Sequence, residues 1–296
     1  MKKVGVLILN YLSYQDTINC VENLLNQQGI ILSVLIIDNH SPNASYSTLL
    51  EQFAHRPTVK VIQTDRNGGY AYGNNFGLRY LEPEDLDFIV ISNNDIQLSD
   101  PFLIKSLIET YPTLDKAAFL APAMFVDGQE DQKHQAWRLP TFRDEVLASL
   151  RLCYFIGHRF FTTNRYHFPP TARSPMAVDC LSGSFFLGSK KLFYELDLFD
   201  ENTFLYGEET ILGHRVKARG LQSYLWRARH YHHTQGKTTK SLHSLLQLQR
   251  YWLESSCYYQ RHYRQIAPWK LRLLKVLYYV WVLETYLLQV IRKENS

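Results

Sequence analysis

Short apolar runs alternate with longer amphipathic stretches through the first hundred residues. Residues 4–9 (Val-Gly-Val-Leu-Ile-Leu) form an apolar run that stops at Asn10-Tyr11, the pattern of a buried strand. Residues 15–28 place Ile18, Val21, Leu24 and Leu25 on one face at helical spacing. The strand pattern returns at 34–37, 59–62 and 88–91. Residues 46–53 and 72–81 read as helices between them, the second entered through glycines. Strands alternating with helices over short connections predict an α/β fold, a mostly parallel, Rossmann-like sheet with helices on both faces.

Ligands of such sheets bind at the carboxyl ends of the strands. Here those ends read Asn10-Tyr11, Asp38-Asn39-His40-Ser41, Thr64-Asp65-Arg66-Asn67-Gly68-Gly69 and Ser92-Asn93-Asn94-Asp95. Each alone also reads as a turn. Four in the same register point to a shared site. Glycines at 68, 69, 73 and 77 let backbone approach a ligand closely, and amides at a helix N-terminus suit phosphate. The run is neither a dinucleotide fingerprint, which follows the first strand, nor a P-loop, which ends in Gly-Lys-Ser/Thr. Asp95 beside a diphosphate is a sensible anchor for Mg²⁺ or Mn²⁺, which takes one or two carboxylates and fills its other positions with phosphate oxygens and water. A loop-capping aspartate is the alternative.

Taken together, Asn10-Tyr11, Asp38-Asn39-x-Ser41, Asn67-x-Gly69-Tyr70-x-x-Gly73-x-Asn75-x-Gly77 and Asn93-Asn94-Asp95 resemble the family 2 glycosyltransferases of GT-A fold. The resemblance is greatest to the bacterial rhamnosyltransferase-type branch that builds O-antigen and capsular polysaccharides. It continues through Asp179-Cys180-Leu181-Ser182-Gly183-Ser184-Phe185-Phe186-Leu187, similar to the family's acceptor-side strand, and Phe199-Asp200-Glu201-x-x-Phe204-x-x-Gly207-Glu208-Glu209, similar to its catalytic segment. It spans about residues 3–240, the glycine-asparagine run and the 200–209 segment being its most specific parts.

The resemblance implies a nucleoside-diphosphate sugar donor, a saccharide acceptor that in this family is often lipid-linked, and Mn²⁺ or Mg²⁺. It places Asp38 on the base or ribose, and Asn67, Gly69 and Asn75 along the nucleotide and diphosphate. Asn10 and Asn94 flank the donor. Gly183 and Ser184 lie beneath sugar and acceptor. Asp95 matches the last position of the family's DxD metal motif, whose first position is Asn93 here. Glu209 stands where the family often has the aspartate of a Glu-Asp pair, the general base, and Glu208 is the second candidate. Ile211 replaces a further aspartate of many members.

The chemistry is coherent on its own terms. Transfer with inversion needs a carboxylate opposite the leaving group to take the acceptor's proton, and positive charge on the departing diphosphate. Glu208 and Glu209 equally suit the first turn of a helix over 210–219. His230-x-His232-His233 follows a strand around 223–225; alternate residues of an extended segment share a face, so His230 and His232 converge. Implied by the family is a histidine near the metal or diphosphate, for which His232 or His233 is the candidate, His232 taken first. Lys237 in Gly236-Lys237-Thr238-Thr239 is an equal candidate for the diphosphate.

Charge changes the picture at the other end. The 296 residues carry a formal net charge of only +4, yet residues 213–296 hold 15 Lys+Arg against 3 Asp+Glu, leaving an acidic body with a basic, aromatic tail. Residues 1–240 are expected to form the catalytic domain, with 129–178 a variable acceptor-side region, and 241–296 a helical extension. Two helices are expected there, 241–264 and one opened by Pro268 and running to 293. In the second, Arg272, Lys275, Tyr279, Tyr286, Gln289 and Lys293 share a stripe, with Leu, Val and Trp281 around the rest. Such a helix suits docking on the body, a homodimer, or an anionic membrane surface.

No stretch has 18 uncharged apolar residues, so no transmembrane helix is expected. The four scattered cysteines form no CxxC pair and favour a reducing compartment. The expected location is cytoplasmic, with peripheral attachment to the inner face of the cell membrane through the tail. Two other readings stay open. A sugar nucleotidyltransferase lacks its basic Gly-rich loop after the first strand. A basic-tailed nucleic-acid or membrane adaptor leaves the strand-end cluster without a role, so no nucleic-acid partner is expected.

Overall fold

The structure, a computed structural model, describes residues 1–149, 164–169, 171–234 and 242–294. Helices and strands alternate from the start: β1 (Lys3–Asn10), α1 (Tyr14–Leu24), β2 (Ile31–Asp38), α2 (Ser45–Phe53), β3 (Val59–Gln63), α3 (Gly69–Leu81), β4 (Phe88–Asn93). Then come β5 (Ile96–Gln97), α4 (Leu103–Thr110), β6 (Ala117–Val126), β7 (Gln129–Glu130), β8 (Ala136–Trp137) and α5 (Phe142–Ser149). The chain continues through β9 (Met176–Val178), β10 (Cys180–Leu181), β11 (Phe185–Ser189), α6 (Lys190–Glu195), α7 (Glu208–Ala218) and β12 (Gln222–His233). It ends with α8 (Leu242–His262) and α9 (Pro268–Glu294).

The main sheet runs β3-β2-β1-β4-β11-β6-β12-β5. Its first four strands are parallel, as the alternation predicts. Beyond β4 it turns mixed. β11 lies antiparallel to both β4 and β6, while β12 is parallel to β6. β1 is apolar on both faces because both are covered: Val4, Val6 and Ile8 pack toward α1, α2 and α4, and Leu7 toward α3 and α7. Gly73 and Gly77 of α3 serve this packing: a Cβ at Gly73 would sit 2.4 Å from Leu9, and one at Gly77 2.8 Å from Ile37. These two glycines were candidates for close approach to a ligand; they bring the helix onto the sheet instead.

Strand order reverses at β1, where the chain crosses from β3 back to β4. The crevice at the carboxyl ends of β1 and β4 is therefore the topological switch point. Register sets Asn10 opposite Asp38, Asp38 opposite Gln63, and Leu9 opposite Asn93, so the polar strand ends form one row.

The two tail helices dock on the body. Leu253 and Cys257 of α8 form a small core with Leu274 and Tyr278 of α9 and Phe142 and Val146 of α5. None of the described helices is long and apolar enough to cross a membrane. Cys20, Cys180 and Cys257 are buried free thiols.

Candidate active site

Asp38 is fully buried at the end of β2. Its Oδ2 accepts from Asn10 Nδ2 (2.7 Å), and its Oδ1 from the Ser41 amide (2.9 Å) and Gln63 Nε2 (3.0 Å). Asn10 Oδ1 in turn accepts from Thr17 Oγ1 (2.8 Å), to which Asn94 Nδ2 also donates (2.9 Å). Asp38, Asn10 and Asn94 are thus one network at the switch point. Thr17, which no strand-end pattern could flag because it lies on α1, ties them together.

Asn67 and Asn39 organise the next layer. Asn67 Oδ1 accepts from Asn39 Nδ2 (3.0 Å) and the Gly69 amide (3.2 Å), and Asn39 Nδ2 also reaches the Gly69 carbonyl (3.1 Å). Gly69 takes φ +86°, and a Cβ there would lie 2.0 Å from the Phe204 carbonyl oxygen. That oxygen accepts from the Tyr70 amide (3.1 Å). The first two amides of α3, expected to face phosphate, are therefore engaged by the protein. Asn75 also turns toward the catalytic segment. It is buried, donates to Phe199 O (2.9 Å) and Glu201 Oε1 (2.8 Å), and accepts from the Phe199 amide (2.9 Å). The asparagine-glycine run is the seat on which residues 199–209 rest.

Gly183 is the meeting point. Its amide donates to Glu209 Oε1 (3.2 Å) and its carbonyl accepts from Tyr70 Oη (2.7 Å). Ser182-Gly183-Ser184 forms the loop between β10 and β11. Ser184 is buried, its hydroxyl held between Ser182 Oγ (2.8 Å) and Tyr231 Oη, so it props the loop from behind. Ser182, not Ser184, faces the cleft.

Tyr206 (φ +66°) and Gly207 (φ +94°) are consecutive left-handed residues immediately before α7. The turn they make sends Glu208 inward and Glu209 outward. Glu208 is 2% exposed, and its Oε2 has no hydrogen-bond partner. Burial, reinforced by the charge of Glu209, raises its carboxyl above the ordinary glutamate value. Glu209 is half-buried and lines a cleft of about 430 Å³ together with Trp137, Glu145, Ser182, Trp252 and Ser255. Burial raises its carboxyl as well, with its own amide and that of Gly183 pulling the other way.

Helix α8 walls this cleft and holds the catalytic segment. Tyr258 Oη (3.0 Å) and Tyr263 Oη (2.6 Å), just past its end, donate to Asp200 Oδ2, and Arg215 Nη2 lies 3.5 Å away. Burial alone would raise Asp200; the hydrogen bonds from Tyr263, Asn202 and Tyr258 outweigh it and hold the carboxyl below its ordinary value. Ser255 Oγ donates to Leu205 O (3.0 Å), and Tyr251 packs on Phe204 with ring centroids 4.7 Å apart. No motif in residues 241–264 signals this role, because the contacts cross some fifty positions of sequence.

Glu145 of α5 is a second buried carboxyl in the cleft wall, bonded to Ser256 Oγ (3.2 Å). Burial pushes it up to about 7 from 4.5. A carboxyl with a raised folded-state value stabilises the fold fully below the unfolded value and loses that contribution as pH rises through about 7. Between pH 5 and pH 8 the wild type should therefore lose about 2.5 kcal/mol relative to Glu145→Gln. Urea unfolding of both at the two pH values checks this, and parallel pH profiles would refute it.

Of the two candidate histidines, His233 and not His232 lies against Asp95. His233 Nε2 lies 3.1 Å from Asp95 Oδ1, while His232 packs against Phe125 and His230 on the other side of the strand. The expected convergence of His230 and His232 occurs, with centroids 5.3 Å apart, but away from Asp95. The Asp95 carbonyl accepts from the Thr234 amide (2.8 Å), fastening β12 to the Asn93-Asn94-Asp95 turn. His233 Nε2 is buried yet has no hydrogen-bond partner, so an imidazole nitrogen and a carboxylate face one another with coordinating capacity to spare. This donor pair suits a divalent cation whose other positions are taken by phosphate and water. Among the described residues no group of three or more His, Cys, Asp or Glu is placed to hold a metal without such help. Lys237, the candidate for the diphosphate, lies outside the described residues.

The chain is 26% identical over 211 residues to N-acetylglucosaminyl-diphospho-decaprenol L-rhamnosyltransferase of Mycobacterium tuberculosis (strain CDC 1551 / Oshkosh), covering 68% of this chain and 66% of that protein. It is 21% identical over 219 residues to the low-salt glycan biosynthesis hexosyltransferase Agl10 of Haloferax volcanii, covering 74% and 62%. It thus spans just under two thirds of the length of these relatives. Among solved structures it resembles GalNAc-T7 with UDP, GalNAc and Mn²⁺ (TM-score 0.60, 14% identity, 88% of this chain and 50% of that one). It also resembles the mannosyltransferase PcManGT of Pyrobaculum calidifontis in complex with GDP-Man and Mn²⁺ (TM-score 0.57, 12% identity, 93% and 74%). These likenesses establish the GT-A fold. Residues 5–196 match glycosyl transferase family 2, a match that stops short of the Asp200–Glu209 segment. The chain belongs to glycosyl transferase family 2.

Proposed function

We propose that the enzyme is an inverting, metal-dependent glycosyltransferase that moves a sugar from a nucleoside-diphosphate sugar to a hydroxyl of a lipid-linked saccharide, in the assembly of a bacterial surface polysaccharide at the cytoplasmic side of the membrane. The observation that carries the reading is Glu209. It is the glutamate of the pair that opens on the cleft, and it is held by the Gly183 amide between the donor row and the α5–α8 wall. The acceptor hydroxyl loses its proton to Glu209 as its oxygen attacks the anomeric carbon. The bond from that carbon to the diphosphate breaks, and the nucleoside diphosphate leaves with the electron pair. Attack opposite the leaving group inverts the anomeric centre, and no covalent enzyme intermediate is needed.

Asp38, through Asn10 and Asn94, shapes the nucleoside end of the crevice, and Asn67 and Gly69 the stretch toward the diphosphate. Asp95 and His233 would hold Mn²⁺ or Mg²⁺, which when bound neutralises charge building on the leaving diphosphate. Rhamnose is the proposed sugar and a polyprenyl-diphosphate-linked saccharide the proposed acceptor, both by analogy with the named activity of the mycobacterial relative.

Thermal shifts and hydrolysis with UDP-, dTDP- and GDP-sugars, each with and without Mn²⁺, test this. One nucleotide class should stabilise the enzyme, and only with metal. Asp95→Asn and His233→Ala should each weaken the metal-dependent shift at least tenfold in donor concentration. If no nucleotide-sugar is bound or hydrolysed under any condition, the reading fails.

A further inference from the structure

Helix α9 (Pro268–Glu294) has two apolar faces, and the body uses one. Leu271, Leu274 and Tyr278 are buried, the last two in the small core with α5 and α8. On the opposite side Trp269, Leu273, Val276, Val280 and Leu283 are each between 44% and 63% exposed. Their spacing of four, three, four and three residues makes one continuous stripe along the helix. An unpaired stripe of this kind on a monomer marks an interaction surface.

Charge around the stripe selects its occupant. From Arg261 to Leu283 the chain carries Arg261, Arg264, Lys270, Arg272 and Lys275 and no Asp or Glu. At 100° per residue, Arg272 and Lys275 fall on one flank of the stripe with exposed Tyr279, and Lys270 on the other. Arg261 and Arg264 are exposed in the turn leading into α9. A second copy laid parallel along the stripe would set Lys270 and Arg272 beside the same cations of its twin, and Glu284 and Glu294 near the far end leave the helix with a net charge of +3. An anionic lipid surface complements both features. The aliphatic side chains and Trp269 enter the acyl boundary while the flanking cations meet the headgroups.

We propose that this face of α9 is a membrane-docking surface, on which the enzyme lies in the interface of an anionic bilayer without crossing it. The surface is independent of the chemistry proposed above, since partition needs neither donor nor acceptor, so either idea can fail without the other. It has a consequence for that chemistry all the same. Helix α8, which packs on α9, also walls the cleft at Glu209, so docking by α9 holds the cleft wall close to the membrane surface where a lipid-borne acceptor is found.

Flotation of the full chain with vesicles of phosphatidylcholine alone, or with 30% phosphatidylglycerol (roughly the range in which the surface is strongly anionic), tests the proposal. The enzyme should float with the anionic vesicles, and high salt should release it. Val276→Glu with Val280→Glu, and separately Lys270→Glu with Arg272→Glu, should each lower partition at least about tenfold. Hydrolysis of the soluble donor by both variants should stay within about twofold of wild type, showing the fold intact. Absence of vesicle binding overturns the proposal. So does equal binding to neutral and anionic vesicles, or a homodimer in sedimentation equilibrium that the Val276/Val280 variant dissolves.

Discussion

Glu209→Gln should bind donor as the wild type does and transfer sugar about a thousand times more slowly, the range in which a positioned general base contributes. The amide keeps the shape of the side chain and can still meet the Gly183 backbone, so the cleft and the donor crevice stay intact. What is lost is the site that receives the acceptor proton. Single-turnover transfer with saturating donor isolates that step, and donor affinity is read separately by thermal shift. Near-normal turnover would remove Glu209 from the mechanism. Glu208→Gln is the matched control. Glu208 is buried away from the cleft, so its amide should leave turnover within about tenfold of wild type. The pH profile adds a second readout. Because burial raises Glu209, the acid limb of kcat/KM should lie above the ordinary carboxylate range, with activity rising as pH rises through it. The limb belongs to the interacting pair, since the two carboxyls titrate together.

Gly183→Ala is expected to cost about a hundredfold in kcat with little change in global stability. A Cβ at this position would lie 2.7 Å from Glu209 Oε1 and 2.7 Å from Tyr70 Oη. Both are ends of side chains, so the fold can absorb the methyl by moving them. Moving them is what matters: Tyr70 is the contact between α3 and the loop, and Glu209 is the proposed base. A displacement of about an ångström at a reacting group is worth on the order of a hundredfold in rate. The signature is a fall in kcat with donor KM unchanged and a melting temperature within a few degrees of wild type. A variant with wild-type kcat would show that Glu209 tolerates the shift and that the Gly183 contact does not set its position. At Gly69 the same substitution would act differently. Its added Cβ meets a backbone carbonyl at a positive φ, so the strain falls on the fold itself.

Much of the framework was legible in the sequence because it is local. Residues 4–9, 34–37 and 88–91 are apolar on both faces, as a covered parallel strand requires, and each became one, as did 59–62 at the sheet edge, where Lys60 is exposed. The polar residues after those runs fell into one row because parallel strands in register must end together. Glu208-Glu209 opened a helix, as first-turn glutamates suit. The mixed half of the sheet was less legible. β11 runs antiparallel and β12 changes register near Trp226, arrangements set by pairing partners far away in sequence.

Roles within the site divided along the same line. The chemistry-bearing residue types and their order along the chain pointed to a glycosyltransferase before any contact was known. Which member of each set faces the cleft or Asp95 depends on tertiary placement. Side-chain direction in a strand alternates, so one residue of register put His233 rather than His232 on Asp95. Two left-handed residues turned Glu209 to the cleft and Glu208 away from it. Asn75 and the Tyr70 amide, candidates for the donor, bond to residues 199–204, and the Gly69 amide bonds to Asn67.

The tail shows the division most clearly. Its sequence established two helices, a basic charge and an excess of apolar surface. It could not tell which apolar face is covered, because hydrophobic periodicity reports only that a face is apolar. The packed structure assigned one face to the body, made α8 the support of Asp200 and the wall of the cleft, and left the other face of α9 open. Local pattern determines elements through backbone geometry and burial averaged over near neighbours. The carboxylate that opens on the cleft, the histidine beside Asp95 and the exposed face of α9 depend on contacts between residues tens to hundreds of positions apart, and only the folded chain brings those together.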